Sequence, residues 1–258
     1  MDRELRVAVD AARAAAEAIR GIAERHAFTA IDKSHGRGPL TEADLAANAI
    51  LVDALRTAFP DDGLLSEESK DGPERLGRRR VWIIDPLDGT KEFVNGVPQY
   101  VVSVGLAIDG EPAVGVLVNP PSGEVFTGIV GGGATYQGQD CRVTSRSSLE
   151  GARLLVSSTE HGKGWFDHLQ GVCEVEPMGS VAYKAGLVAA GLADATFTPK
   201  PRNEWDLLGG VACIVAAGGR CTDGTGTPYR FNAPDPLKIG VCLTNTALHE
   251  AVMGLMQG

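Results

Sequence analysis

Residues 81–93 read Val81-Trp82-Ile83-Ile84-Asp85-Pro86-Leu87-Asp88-Gly89-Thr90-Lys91-Glu92-Phe93. A short apolar run ends on Asp85, and a second carboxylate, Asp88, follows on the same tight turn. Two carboxylates held this close repel each other, and a divalent cation is the commonest way to make the arrangement favourable. Gly89 and Thr90 set small residues and backbone N–H groups beside the carboxylates, which suits a phosphate. A metal ion in contact with a phosphate is the chemistry this turn could do. Three further acidic sites could join it. Glu67 and Glu68 follow a short apolar segment, Thr41-Glu42-Ala43-Asp44 stands at the start of one helical pattern, and Asn203-Glu204-Trp205-Asp206 opens another. Mg2+ favours oxygen ligands, usually a few carboxylates completed by water and substrate phosphate, so Glu67, Asp85, Asp88 and Asp206 could serve two neighbouring ions. Each has a plainer reading on its own. Asp44 and Asp206 could be helix N-caps or first-turn charges, Glu67 and Glu68 solvated surface, and Asp88-Gly89 an ordinary turn. Their joint occurrence favours the metal centre.

The elements that must position these residues follow from periodicity. Residues 81–85 are rich in β-branched and aromatic side chains and read as a buried strand, with Pro86 and Gly89 punctuating the turn after it. Residues 2–26 carry Leu5, Val9, Ala12, Ala16, Ile19 and Ile22 on one helical face. Residues 27–43 are polar and Gly-rich, suiting a loop or short hairpin, and 44–59 form a second helix pattern ended by Pro60-Asp61-Asp62-Gly63. Strands are expected at about 101–108, 113–119 and 124–129, antiparallel across Asp109-Gly110 and residues 120–123, with a further turn at 131–133. Beyond residue 150 strands and helices alternate. Strands are expected near 153–157, 173–177, 193–197, 219–222 and 238–243, and helices near 162–170, 180–191, 205–217 and 245–256. The simplest account is one compact α/β catalytic unit. Its N-terminal α+β lobe, residues 1–145, is expected to carry most of the metal ligands; its C-terminal α/β lobe, 146–258, is expected to carry Asp206 and the substrate contacts.

Composition narrows the function. The 258 residues include 24 Lys and Arg against 33 Asp and Glu, a net charge of -9. Such a chain is a poor general binder of nucleic-acid polymers or anionic membranes. It can still take a small anionic metabolite if metals supply local positive charge. No apolar stretch reaches the length that spans a bilayer. The charged N-terminus is no signal peptide, and five dispersed cysteines without a CxxC pair suit a reducing compartment, so a cytoplasmic protein is expected. His26, His35, His161, His168 and His249 lack metal-ligand spacing. The absence of GxxxxGK[ST], GxSxG and HExxH argues against P-loop enzymes, elbow-type serine hydrolases and zincins.

Together these residues resemble the inositol monophosphatase superfamily of lithium-sensitive, magnesium-dependent phosphatases. The family pattern stands here as Glu67-Glu68, then Asp85-Pro86-Leu87-Asp88-Gly89-Thr90, then Trp205-Asp206, residues 207–217 and Gly218-Gly219. The resemblance implies a layered αβαβα sandwich of the inositol monophosphatase and fructose-1,6-bisphosphatase type. It implies Mg2+ as cofactor, two or three ions per site. Glu67, Asp85 and the Leu87 carbonyl would hold the first ion, and Asp85, Asp88 and Asp206 the second. Gly89 and Thr90 would contact phosphate, and Thr90 paired with Asp44 would activate the attacking water. Lys33 would lie near a third metal site, and Glu68 behind the ligands. Asp88-Gly89-Thr90-Lys91-Glu92-Phe93, Glu204-Trp205-Asp206 and residues 179–191 are closest to the bacterial 3'(2'),5'-bisphosphate nucleotidase branch, while residues 94–100 depart from it. That branch implies 3'-phosphoadenosine 5'-phosphate as substrate, with Ser180, Lys184 and Glu204 near its organic part. An inositol phosphate or a sugar bisphosphate such as fructose 1,6-bisphosphate stays open, as does a non-catalytic phosphometabolite sensor. Lys184 reads equally well as a helix-surface lysine. Dimers are common in the family, and the oligomeric state stays open.

Overall fold

The computed structural model describes residues 1–25, 29–32 and 39–257. Helix α1 (Asp2–Glu24) buries Ala8, Ala12, Ala15, Ile19 and Ile22, which recur at helical spacing. Strands β1 (Ala30–Asp32) and β2 (Pro39–Thr41) pair antiparallel, as the hairpin alternative expects. Helix α2 (Glu42–Ala58) starts on a capping box, in which the Thr41 hydroxyl accepts from the Ala43 N–H and the Asp44 carboxylate from the Thr41 N–H.

A seven-stranded sheet follows in chain order. It comprises β3 (Gly63–Ser66), β4 (Arg80–Asp88), β5 (Val101–Ile108), β6 (Glu111–Val118), β7 (Val125–Ile129), β8 (Gly133–Tyr136) and β9 (Gln139–Cys141), with the short α3 (Thr90–Val94) between β4 and β5. Only β3 and β4 run parallel. β4 is covered on both faces. Trp82 and Ile84 belong to the core under α1 and α2, and Val81 and Ile83 to the core on the opposite side. This explains an unbroken apolar run in place of alternation.

The second half begins with β10 (Arg153–Ser157), α4 (Ser158–His161), β11 (Glu174–Met178), α5 (Val181–Ala189) and β12 (Ala195–Thr198). It continues with β13 (Arg202–Asn203), α6 (Glu204–Ala216), β14 (Gly219–Thr222), β15 (Leu237–Lys238), β16 (Val241–Asn245) and α7 (His249–Gln257). Five strands form a mixed sheet ordered β11-β10-β12-β16-β14, and β13 pairs with β15. α1 and α2 pack on one face of the first sheet, α5 and α6 between the sheets, and α7 on the second sheet, so the layers run αβαβα. α6 comes close because the strands beneath it lack side chains at the contact. A Cβ on Gly115 would collide with the Gly209 carbonyl, and one on Gly105 with Leu208.

Three local expectations change. Residues 162–170 form no α-helix: α4 ends at His161, and a short 3-10 helix covers only Asp167–Leu169. Gly164 between them takes φ +76°, which ends any helix. The β8–β9 hairpin, absent from the sequence reading, turns on Gln137 and Gly138, both at positive φ, without the Asn-Gly pair that marks such turns. The strand expected at 238–243 begins only after Gly240.

Candidate active site

Chain geometry at the end of β4 builds the site. The pairing of β4 with β5 slips between Asp85, opposite Ser103, and Asp88, opposite Val101. One extra residue on β4 resets the side-chain alternation, so Asp85 and Asp88 line one cavity although they are three positions apart. Gly89 then takes φ +102°, and a Cβ there would press on Gln99 and Tyr100. Only glycine suits that position, and it lets α3 begin at once with Thr90.

The cavity, about 440 Å³, is lined by Glu67, Asp85, Leu87, Asp88, Gly89 and Thr90 from the first sheet's rim. Ser180, Lys184, Arg202 and Asp206 line it from the later helices and their connections. Carboxylate oxygens of Glu67, Asp85 and Asp206 lie within 4.8 Å of one another. Burial, then the charges of Glu67, Asp88 and Asp206, push the Asp85 carboxyl well above the ordinary carboxylate range. Asp206 is raised in the same way, first by burial and then by Asp88 and Glu67. Like charges desolvated together call for a compensating cation, and a set made only of oxygens suits a hard divalent ion such as Mg2+. The fit therefore holds for Glu67, Asp85 and Asp206.

Asp88 sits outside this triad. Its Oδ2 accepts from the Ser180 hydroxyl and from the Ala182 N–H in the first turn of α5, each at 2.6 Å. Those bonds oppose the effect of burial, which still leaves its pKa raised. The Leu87 N–H donates to Asp85 Oδ1 at 2.9 Å, locking the turn.

Thr90 and Asp44 meet across 46 positions of sequence. The Thr90 hydroxyl lies 2.9 Å from Asp44 Oδ1 and 3.1 Å from the Leu87 carbonyl. One hydroxyl proton serves only one acceptor at a time, so the two compete. Asp44 Oδ2 also accepts from the Thr41 N–H at 2.7 Å and the Thr41 hydroxyl at 2.6 Å. Asp44 is thus both helix cap and Thr90 partner, and the two readings of this residue hold together.

Two residues of the second half change character. Lys184 is no surface lysine. It is 4% exposed, and its ammonium donates to the Met178 and Gly179 carbonyls at 3.1 and 3.3 Å. Burial lowers its pKa to about 8, with Arg202 adding to the drop and Asp88, Glu92 and Glu160 opposing it. Glu204, expected beside the substrate, does not line the cavity. It is 0% exposed, and its carboxylate is taken by the Asn232 and Ala233 N–H groups and by Lys238. Glu68 stands beside the cavity rather than in its lining, its N–H donating to the Ser66 hydroxyl. Ser66 and Asn48 escaped the sequence reading. The Ser66 hydroxyl donates to Asn48 Oδ1 at 2.6 Å and ties the end of β3, just before Glu67, to α2. Lys33, with His26 and His35, lies outside the described residues.

Comparison with known proteins agrees with this architecture. Residues 1–257 match the model of the inositol monophosphatase family. The chain is 32% identical over 271 residues to inositol monophosphatase 2 of Solanum lycopersicum, covering 99% of this chain and 98% of that one. It is 35% identical over 199 residues to the 3'(2'),5'-bisphosphate nucleotidase CysQ of Escherichia coli, covering 75% and 79%. The solved structure of a Thermotoga maritima IMPase superposes with a TM-score of 0.86 at 28% identity, over 99% of this chain and 96% of that one. The chain is therefore a member of the inositol monophosphatase family, and with it a phosphatase-class hydrolase.

Proposed function

We propose that this protein is a Mg2+-dependent phosphomonoesterase that hydrolyses 3'-phosphoadenosine 5'-phosphate to AMP and inorganic phosphate. One observation carries the choice of a substrate with two phosphates. Besides the carboxylate cluster, the cavity holds the cations Lys184 and Arg202 on the side formed by the second half of the chain. A substrate with a single phosphate, placed at the carboxylates, leaves that basic end with only the protein's own anions, Asp88, Glu92 and Glu160, as counter-charge. A second phosphate fits it. Similarity to a bisphosphate nucleotidase supports the same choice. Similarity to an inositol monophosphatase keeps inositol phosphate as the competing substrate.

In this reading Glu67, Asp85 and the Leu87 carbonyl would hold one Mg2+, and Asp85, Asp88 and Asp206 a second. Bound Mg2+ would supply Lewis acidity, neutralising phosphate charge and acidifying water. The protein's own groups do the rest. The backbone N–H groups of Gly89 and Thr90 bind phosphate oxygens at the start of α3. The Thr90 hydroxyl orients the attacking water and takes its proton while passing its own to Asp44 Oδ1, the acceptor 2.9 Å away. Water attacks phosphorus, the P–O ester bond breaks, the 3'-oxygen takes a proton from solvent as it leaves, and Asp44 returns its proton to solvent through Thr90. Lys184 and Arg202 hold the distal phosphate, and Ser180 keeps Asp88 in place. Glu204 has no part at the substrate. The enzyme would act in the cytoplasm, in keeping with five free thiols. Among the described residues no helix is long and apolar enough to cross a membrane.

The test is phosphate release with Mg2+ from three substrates: the adenosine bisphosphate, inositol 1-phosphate and fructose 1,6-bisphosphate. The highest kcat/KM is expected for the first, with inhibition by Li+ and none by equal Na+. Preference for inositol 1-phosphate would refute the bisphosphate assignment. Tight binding with no release from any of the three would make the protein a sensor.

A further inference from the structure

Glu67 and Asp206 reach the same cavity from segments 139 positions apart. Their charges, with that of Asp85, push them apart. A polar chain outside the cavity, buried at Arg75 and at Glu204, opposes that push. The Arg75 guanidinium grips both oxygens of Asp71 at 2.8 Å and donates to Asn232 Oδ1 at 2.7 Å and the Ala233 carbonyl at 3.1 Å. Asn232 returns a bond from Nδ2 to the Arg75 carbonyl at 3.1 Å. Asn232 takes φ +65°, a conformation that asparagine tolerates better than most residues. It aims two successive N–H groups, its own and that of Ala233, at the Glu204 carboxylate, at 2.7 and 3.0 Å. Lys238 completes the set with an ion pair to Glu204 at 2.8 Å.

Both ends of the chain are tied to the segments that carry the triad. Asp71 follows Glu67 by four residues, and Arg75 packs against Gly63 at the start of the strand that leads to Glu67. Glu204 is the first residue of α6, in the same turn as Asp206, whose Oδ2 accepts from the Asn203 N–H at 2.9 Å. Arg75 is 3% exposed and Glu204 fully buried, so the bonds that join Arg75, Asn232 and Glu204 are shielded from water, whereas Asp71 is exposed. None of Asp71, Arg75, Asn232 and Glu204 lines the cavity.

We infer that Asp71, Arg75, Asn232 and Glu204 form a clamp that holds the Glu67 segment and the start of α6 at cation-binding separation. These are positioning residues, and the inference rests on the reading of Glu67, Asp85 and Asp206 as cation ligands. The clamp sets metal affinity and leaves the chemical step alone. Glu204→Gln replaces an acceptor oxygen with an amide that faces other donors. Arg75→Lys keeps the charge but loses the fork that spans Asp71 and Asn232.

Calorimetric titration of the full-length protein with Mg2+ alone, without substrate, tests this. Both variants are expected to raise the Mg2+ Kd by about tenfold or more. The Mg2+ half-saturation of phosphate release should rise in step, while kcat at saturating Mg2+ stays within about threefold. Loss of folded protein alone would lower the amplitude and leave the Kd unchanged. Tyr229→Phe is the control, because it deletes a buried hydrogen bond to the Gly240 carbonyl in the same half of the chain. It should lower Tm without moving the Mg2+ Kd. If Glu204→Gln fails to fold, Asn232→Gly carries the test, since it keeps the left-handed backbone and removes only the side-chain link to Arg75. Wild-type Mg2+ affinity in the folded clamp variants, or equal weakening by Tyr229→Phe, overturns the clamp. No Mg2+ isotherm from the wild-type protein overturns the ligand reading itself, and the clamp with it.

Discussion

The two ends of the cavity carry opposite charge and are built in different ways. At the acidic end, Asp85, Leu87, Asp88, Gly89 and Thr90 come from one turn at the end of a central strand, joined by Glu67 and Asp206. Their positions follow from a bulge, a left-handed glycine and a capped helix. At the basic end, Lys184 and Arg202 belong to separate elements of the second half, and Lys91 stands exposed at the rim. The acidic end is costly for the fold without a cation, since burial and mutual repulsion raise Asp85 and Asp206 together. At the basic end burial depresses Lys184, and Asp88, Glu92 and Glu160 offset only part of that. Each end is therefore completed by a ligand of the opposite sign. In the proposed reading the metal end decides the reaction and the basic end decides the substrate.

The strongest way to break this division is Asp85→Asn. Turnover should fall by ~10³-fold or more at saturating Mg2+, with an unchanged circular dichroism spectrum. The metal-free variant should melt no lower than metal-free wild type, because a buried charge among like charges has been removed. Near-wild-type turnover would strip the acidic end of its role.

Thr90→Ala and Asp44→Asn probe whether one hydrogen bond joins chemistry to fold. Each should lower kcat by about 10²- to 10⁴-fold, with KM and Mg2+ affinity little changed. Combined, they should be little worse than the worse single variant, since both act on one proton path. Asp44→Asn should also lower Tm through loss of the cap to the Thr41 N–H and hydroxyl, whereas Thr90→Ala should not. Fully multiplicative kinetics would separate the two residues.

Lys184→Met addresses the other end. It should lower kcat/KM for the adenosine bisphosphate by about 10- to 100-fold and change that for inositol 1-phosphate little. In the wild type, kcat/KM for the bisphosphate should fall as pH rises through about 8, where Lys184 loses its proton, and Lys184→Met should lack that limb. Stability runs the opposite way. The folded pKa of about 8 lies below the unfolded 10.5, so between them the unfolded chain binds more protons. The Lys184 contribution to stability is then complete above pH 10.5 and is lost as pH falls through 8. Equal loss on both substrates would assign Lys184 to the fold of the 178–180 turn, whose carbonyls it holds.

Lys91→Ala should have the smallest effect. An exposed, solvent-screened ammonium contributes little, and kcat/KM for the bisphosphate should change by less than about threefold at physiological salt. A larger loss would move the substrate's second phosphate toward the rim and away from Lys184.

Much of this site was legible in the chain because it is local. Asp85, Asp88, Gly89 and Thr90 act through a turn of a few residues, and Asp44 and Asp206 carry the cap pattern of the helices they start. The layered fold could be read in outline too, since α1, α2 and β4 have clear periods or an unbroken apolar run. What failed was also local: the Gln137-Gly138 hairpin turn lacked its usual marker, and Gly164, which breaks the expected helix, was outweighed by the pattern around it.

Sequence alone determined the chemical types, namely a carboxylate-rich turn beside small residues, in a chain too acidic for polyanions. Tertiary structure decided which of those carboxylates meet. Glu67, Asp85 and Asp206 lie far apart in the chain, and no short-range preference brings like charges together. Their proximity depends on α6 docking against strands emptied by Gly105 and Gly115, a close approach that residue spacing does not encode. Tertiary structure likewise turned Lys184 into a buried cation and Glu204 into a buried anchor. A charged side chain's role depends on what surrounds it after packing, because desolvation and neighbouring charge, not residue type, set its energy.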